Sequence, residues 1–422
     1  MKIRFYNGRI MPMTNGGEIL EQELWVEGDS ISYMGPAKDN DVQWDRQINL
    51  NGNLLLPGFK NAHTHSAMTF LRSFADDLPL LDWLNEQVFP MEAKIDGEDM
   101  YHLSRLAILE YLSSGITANF DMYFHPETVS QASIDSGFRT VMCGSINNFY
   151  NSPQGLEDFY LTYNKVNPLI SYKLGFHAEY TCSEELLKEI AALSQKYQAP
   201  VYTHNSESAS EVEGCIQRHG TTPTVYLESL GLFEHGGGGY HCVHMSDEDL
   251  KIMKDKGLWV ISNPGSNVKL ASGIARLCDM DKMGIGLALG TDGPASNNCL
   301  DMFREMFLAT ALQKIKLDDA SAMDAVRVLE MATVGGAGAM GLSDCDVLAV
   351  GKKADLVVLD LNQPNMQPLN NLAKNIVYSG SKSNVAMTVV AGRILYEKGE
   401  FFVGEDPERI YQRANEIIAR VR

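Results

Sequence analysis

The fold class this sequence predicts is α/β: a (β/α)8 TIM barrel with a small β-sandwich built from both chain ends. Three observations carry that prediction. The chain has 422 residues, enough for a barrel of about 250 residues plus an accessory module. Its middle holds eight short apolar runs, most of them separated by amphipathic helical patterns. Its two ends show the strand alternation and tight turns of β-hairpins.

Taken in order, Lys2–Tyr6, Glu23–Glu27 and Ile31–Met34 read as strands, with Asn-Gly and Gly-Asp turns between them. From Leu54 the candidate strands are Leu54–Ala62, Ile116–Met122, Arg139–Gly144, Ser171–His177, Val201–His204, Gly239–Val243, Leu258–Ser262 and Gly286–Gly290. Helical patterns lie between most of them, such as Asp99–Ser114 ending at Gly115 and Ser183–Tyr197 before Pro200. Past residue 345 the alternation returns in Ala354–Asp360, Val385–Val390 and Arg393–Tyr396, and Asp406–Arg422 is an amphipathic helix. The expected domains are therefore 1–56 and 346–422, the latter with the terminal helix, as the two parts of the sandwich, and 57–345 as the barrel.

Composition narrows the function. Hydrophobic residues at 45% fill a large core, and a formal charge of -19 without a basic cluster argues against nucleic acid as a partner. No run of about 18 apolar residues exists, so no membrane partner is expected. The N-terminus lacks the apolar region of a secretory signal, and the seven cysteines are scattered without a C-x-x-C pair. Both point to a reduced, cytoplasmic protein.

The chemistry gathers at strand ends. His63-Thr64-His65 closes the first candidate strand, where side chains two apart share a face and can meet one cation. Alone, such a pair is as readily an ordinary core feature. His204 closes the fifth strand with Glu207 three residues on, His241 lies on the sixth with His244, and Asp292 follows the eighth. Asp292 could also be a turn former before Gly293; His244 reads as a surface or capping residue, and His102, His125, His219 and His235 as surface or structural. Imidazoles with one carboxylate suit a single divalent ion, zinc first, with iron(II) also accommodated. Such an ion lowers the pKa of water toward neutrality, and a free carboxyl such as Glu207 can shuttle the protons that C–N hydrolysis requires. His177-Ala178-Glu179 matches H-x-E, but the Pro-Cys-x-x-Cys half of the cytidine-deaminase signature is missing.

These motifs give the chain a resemblance over nearly its whole length. Leu56-Pro57-Gly58-Phe59-Lys60-Asn61-Ala62-His63-Thr64-His65, Asp82-Trp83-Leu84, Phe89-Pro90-Met91-Glu92, His204-x-x-Glu207, His241-Cys242-Val243-His244, the run Ser262–Gly273 and the run Gly290–Asn298 resemble the amidohydrolase superfamily, in its nucleobase and nucleoside deaminase branch. Within that branch the resemblance is greatest to the 5-methylthioadenosine/S-adenosylhomocysteine deaminases. It implies that His63, His65, His204 and Asp292 bind one zinc ion. It further implies hydrolytic attack at C6 of an adenine ring, with Asp292 taking the proton of the nucleophile, Glu207 protonating the ring nitrogen and His241 stabilising the new oxygen. Trp83, Glu92 and His177 match positions that contact the nucleoside, although Trp83 also reads as a packing residue and Glu92 as a solvated one. A homo-oligomer is expected at the level of this family.

One departure concerns the substrate. Relatives that take S-adenosylhomocysteine hold its carboxylate with arginines after the third strand. Between Asp121 and His177 this chain has only Arg139, at a strand start away from the catalytic end. A bidentate arginine is hard to replace with the amides of Asn147 and Asn148, so a neutral nucleoside such as methylthioadenosine, adenosine or deoxyadenosine is expected. Other readings are a deaminase of guanine, 8-oxoguanine or a pterin, or a triazine hydrolase. A ring-opening binuclear amidohydrolase needs a carboxylated lysine ending the fourth strand, where His177 stands and Lys173 comes too early. A metal-free structural subunit would lack ligands, and none is lacking.

Overall fold

The computed structural model describes residues 1–38, 41–74, 76–78 and 82–422. The chain opens with β1 (Lys2–Tyr6), β2 (Arg9–Ile10), β3 (Glu23–Glu27), β4 (Ser30–Gly35), β5 (Arg46–Asn49) and β6 (Leu54–Pro57). The middle supplies β7 (Phe59–Thr64), β8 (Ile116–Met122), β9 (Arg139–Cys143), β10 (Ile170–Ala178), β11 (Val201–Asn205), β12 (Gly237–His241), β13 (Trp259–Ser262) and β14 (Gly286–Leu289). Near the C-terminus follow β15 (Leu356–Leu359), β16 (Val385–Val390), β17 (Arg393–Glu397) and β18 (Glu400–Phe401).

β7 to β14 pair in chain order, all in parallel, with helices in the connections. The first and last meet where the Thr291 amide donates to Asn61 Oδ1 at 2.8 Å and the Asp292 amide to the His63 carbonyl at 2.9 Å. This is the (β/α)8 barrel the apolar runs predict. Its interior is filled by Phe120, Tyr202, Tyr240 and Ile261, and its N-terminal end is plugged by the helix Gly336–Met340, whose Ala339 carbonyl accepts from Tyr202 Oη at 2.6 Å. Packed from within and closed below, the barrel leaves only its C-terminal end for chemistry.

The accessory strands form two sheets, β4-β3-β1-β5 and β18-β17-β16-β15-β6-β2. Strands from opposite chain ends stand side by side in the second, with β15 antiparallel to β6. Ile3, Phe5 and Val26 of one sheet share a core with Leu356, Val358 and Val389 of the other, which makes a sandwich.

Two sequence expectations are corrected. The run Leu54–Ala62 is not one strand: it divides at Gly58, leaving β6 in the sandwich and β7 in the barrel. An added Cβ at Gly58 would lie 2.1 Å from Thr117 Cγ2, so only glycine lets the backbone pass so close to the neighbouring strand. The sixth barrel strand begins at Gly237 and ends at His241, two residues earlier than expected, so Cys242–His244 lie outside it. The strand opens on glycine because Val201 of the paired strand crowds it: a Cβ on Gly237 would sit 1.9 Å from the Val201 carbonyl oxygen. The terminal helix, Pro407–Val421, packs on the barrel side, where Ala414, Ile417 and Val421 share a cluster with Phe70 and Leu103. Lys94 Nζ caps that helix by donating to the Val421 carbonyl at 2.7 Å.

Among the described residues, no helix is long and apolar enough to cross a membrane.

Candidate active site

At the C-terminal end of the barrel, β7, β11, β12 and the turn after β14 each deliver a side chain to one point. One nitrogen each from His63, His204 and His241 all lie within 4.8 Å of one another, and so do ligand atoms of His63, His65 and Asp292. Asp292 Oδ1 is 3.2 Å from His65 Nε2 and 3.6 Å from His63 Nε2. Hydrogen bonds aim the rings. His65 Nδ1 faces the Met122 carbonyl at 2.5 Å and His204 Nδ1 the His177 carbonyl at 2.8 Å, which turns each Nε2 to the centre. Asp292 sits in the left-handed region at φ 60°, a strain typical of functional turns, and Oδ2 accepts from Ser266 Oγ at 2.6 Å and Ser296 Oγ at 2.8 Å.

This donor set fits a divalent cation. His63 is fully buried, stacked 3.8 Å over Tyr240, and neither of its ring nitrogens has a partner within the protein. A buried imidazole without a hydrogen bond is costly, and a metal ion removes that cost. Burial holds His63 and His204 well below the ordinary histidine pKa, so both are neutral ligands. Burial pushes the Asp292 carboxyl the other way, but the surrounding imidazoles outweigh it and keep the group ionised.

Glu207 and His241 stand beside this cluster. Glu207 is buried, its carboxyl raised above the ordinary range by desolvation, with Ser272 Oγ donating at 3.4 Å. His241 lies between two carboxylates, with Nδ1 3.8 Å from Glu207 Oε1 and Nε2 3.9 Å from Asp292 Oδ2. Its Nδ1 also meets Asn267 Oδ1 at 2.8 Å.

Above the cluster opens a cavity of about 590 Å3 whose walls include Trp83, Glu92 and His177. Trp83 is buried at the start of the π-helix Trp83–Val88. Glu92 Oε1 accepts from Tyr123 Oη at 2.6 Å, and burial pushes its carboxyl up to about 7. Burial drives His177 down to about 4, and its Nδ1 lies 3.1 Å from Thr181 Oγ1. Of the side chains proposed from the sequence for this site, all but the fully buried His63 line this one cavity, and His63 reaches the same cluster through His65, His204 and Asp292. Lys173 does not line it: an added Cβ on Gly341, just past the plug helix, would lie 2.8 Å from its Nζ, which puts that amine at the opposite end of the barrel. Arg139 is also remote, paired with Asp355. His244 Nε2 meets the Ser272 carbonyl at 2.7 Å, outside the cluster.

Several supporting residues escape the sequence reading. Ser266, Asn267 and Ser296 orient Asp292 and His241, and Tyr123 orients Glu92. Glu211 accepts the amides of Ser206 (2.8 Å) and Glu207 (2.7 Å), fixing the turn that carries Glu207. Ser266 and Asn267 lie in a motif the resemblance covers, and Glu211 follows Glu207 by one helical turn, but neither spacing announces a target.

Fold and cluster together define a metal-dependent hydrolase. The sequence profile described as the Amidohydrolase family matches residues 54–395, and the chain belongs to that family. Among its relatives is a 5-methylthioadenosine/S-adenosylhomocysteine deaminase of Thermoanaerobacter pseudethanolicus, 37% identical over 100% of both chains. A crystal structure of an adenosine deaminase from Xanthomonas campestris with bound zinc is 31% identical, covers 99% of this chain and 98% of its own, and superposes with a TM-score of 0.94. The zinc complex of the atrazine chlorohydrolase of Arthrobacter aurescens, 21% identical over 99% of this chain and 100% of its own, shares the fold at a TM-score of 0.90.

Proposed function

We propose that this protein is a zinc-dependent deaminase that converts the adenine ring of a nucleoside to its hypoxanthine form with release of ammonia. One observation carries the reading: two ion-ready sets that share His63, one with His204 and His241 and the other with His65 and Asp292, lie beside Glu207 at the floor of a nucleoside-sized cavity, and in this reading His63, His65, His204 and Asp292 hold the ion. The relatives named as adenosine-type deaminases support the same substrate class. One zinc ion per chain, when bound there, supplies an activated water at neutral pH.

The chain's own residues do the rest. Asp292 accepts the proton of the attacking water. Glu207, whose raised pKa keeps a proton available, protonates the ring nitrogen beside C6. His241 donates from Nε2 to the oxygen that forms on C6. The proton on Asp292 passes to the amino group, the C6–N bond breaks and ammonia leaves, while the proton still on the C6 oxygen returns to Glu207 as the carbonyl forms. Trp83 offers the heterocycle an apolar face, while the free oxygen of Glu92 and the ring of His177 hydrogen-bond the ribose hydroxyls. The same reading places the protein in the cytoplasm as a homo-oligomer, which light scattering measures.

Ammonia release decides the matter. Adenosine and methylthioadenosine are expected to turn over, chelation to abolish activity, and one equivalent of zinc per chain to restore it. Turnover of guanine, a pterin or a triazine with none of adenine nucleosides would overturn the proposal.

A further inference from the structure

The cavity continues well beyond its catalytic floor, and its mouth has a composition of its own. In an adenine nucleoside the amino-bearing C6 and the 5′ carbon lie at opposite ends. With C6 at the floor, any 5′ substituent is directed toward the mouth. Phe149 stands there 93% exposed, with Phe89 at 44% and Tyr180 at 38%, all three on the wall of this one cavity. Such a rim of exposed aromatic carbon is costly in water unless something apolar covers it.

The exposure of Phe149 is built in. Asn147 Oδ1 accepts from the Phe149 amide at 2.8 Å and from the Tyr150 amide at 3.1 Å. Tyr150 is held in turn, its Oη accepting from the His125 amide at 3.2 Å and its ring 4.6 Å from that of Phe124. The Asn148 amide donates to the Thr181 carbonyl at 3.0 Å, and Asn148 Oδ1 accepts from the Ser183 amide at 2.8 Å. Both asparagines that occupy the place of a cationic clamp therefore spend their carbonyl oxygens on pinning the turn.

Charge completes the picture. Among the described residues lining the cavity there is no lysine or arginine, whereas Glu92, Glu207 and Asp292 are all present. His125 at the rim has its Nδ1 2.8 Å from Glu127 Oε1, so a charge there is already matched. A carboxylate or phosphate entering the mouth would lose its water and find no cation.

We infer that the mouth selects adenine nucleosides whose 5′ substituent is uncharged and apolar, a short alkylthio group above all, and that Phe149 is the residue that sets this preference. The inference rests on the nucleoside reading above and narrows it. It separates this chain from the second substrate in its relatives' name, since the homocysteine arm carries a carboxylate and an ammonium.

The zinc-loaded enzyme is assayed with methylthioadenosine, adenosine, S-adenosylhomocysteine and adenosine 5′-monophosphate. Burying a methylthio group against aromatic carbon predicts a kcat/KM about 10-fold above adenosine, with both charged compounds lower than methylthioadenosine by about 100-fold or more. Phe149→Ala is expected to raise KM for methylthioadenosine about 10-fold with kcat nearly unchanged, and to move adenosine by less than about threefold. Calorimetry with the products reads the same preference without chemistry, methylthioinosine binding at least about 10-fold tighter than S-inosylhomocysteine. S-adenosylhomocysteine turned over as well as methylthioadenosine, equal binding of the two products, or an equal effect of Phe149→Ala on both neutral substrates would overturn the inference alone. Failure to deaminate any adenine nucleoside would overturn the reading beneath it and the inference together.

Discussion

Glu207 shows how much of a catalytic role is decided by a single side chain's surroundings. Its carboxyl is buried against His241 and outside the set of atoms that can share one cation with His63. Removing its acidity should therefore cost chemistry without costing metal. Glu207→Gln is expected to lower kcat by roughly 10²–10⁴-fold, the usual worth of a general acid, while zinc per chain stays at the wild-type level. Metal analysis beside steady-state kinetics checks this, and a Gln variant that lost its zinc would place Glu207 among the ligands instead. At this scale the sequence is informative wherever a reactive residue ends an apolar run, as His63, His65, His204 and Asp292 do. Ser266, Asn267 and Ser296 are not legible as partners: Ser266 and Asn267 come from the loop after β13 to Asp292 and His241 at the ends of the neighbouring strands, and Ser296 turns back on Asp292 within one loop, approaches that packing sets.

The loops after β13 and β14 are joined by one buried carboxylate. Glu305, fully buried on the helix Met302–Leu317, accepts from the Gly265 amide at 2.8 Å and from Asn297 Nδ2 at 2.8 Å. Gly265 lets the carboxylate in, since an added Cβ would lie 2.5 Å from Glu305 Oε1 and would force that side chain to shift. Burial raises this carboxyl from the ordinary 4.5 to about 7. Between those values the folded state holds a proton that the unfolded state has released. Stability contributed by Glu305 is thus fully present below pH 4.5, declines as the pH rises toward 7, and is constant beyond it. At about 1.4 kcal/mol per unit the loss is roughly 3 kcal/mol. Glu305→Gln cannot ionise, so the wild type's stability relative to that variant should fall across pH 4.5–7. Urea unfolding of both proteins at several pH values measures it, and parallel profiles would refute the assignment. Element boundaries were legible to the same degree as their steric causes: Ile116–Met122 reads directly as a strand, whereas the break at Gly58 depends on Thr117 of a neighbouring strand.

The whole molecule is two bodies of structure held at the end of the barrel opposite the metal cluster. Arg139 opens β9, and its guanidinium grips Asp355 in a bidentate pair at 2.6 and 3.1 Å, with side-chain exposures of only 6% and 0%. Asp355 in turn serves the sandwich, its Oδ1 accepting from the Ala391 amide at 2.7 Å and its carbonyl from the Gly58 amide at 3.0 Å, at the crossing point between the two bodies. The sequence shows Arg139 to be unavailable to a substrate, but its partner lies more than two hundred residues away and no local pattern joins them. Arg139→Met would leave the Asp355 carboxylate buried without its counter-charge, at a cost of about 3–5 kcal/mol. Arg139→Met with Asp355→Asn removes both charges and should recover a substantial part of that loss, because the penalty belongs to the orphaned ion more than to the missing attraction. Thermal and urea unfolding of the single and double variants provide the cycle. Because the pair sits at the strand N-termini, zinc content and KM of the folded fraction should match the wild type in both. A single variant within about 1 kcal/mol of wild type would mean that this buried pair does not hold the sandwich to the barrel.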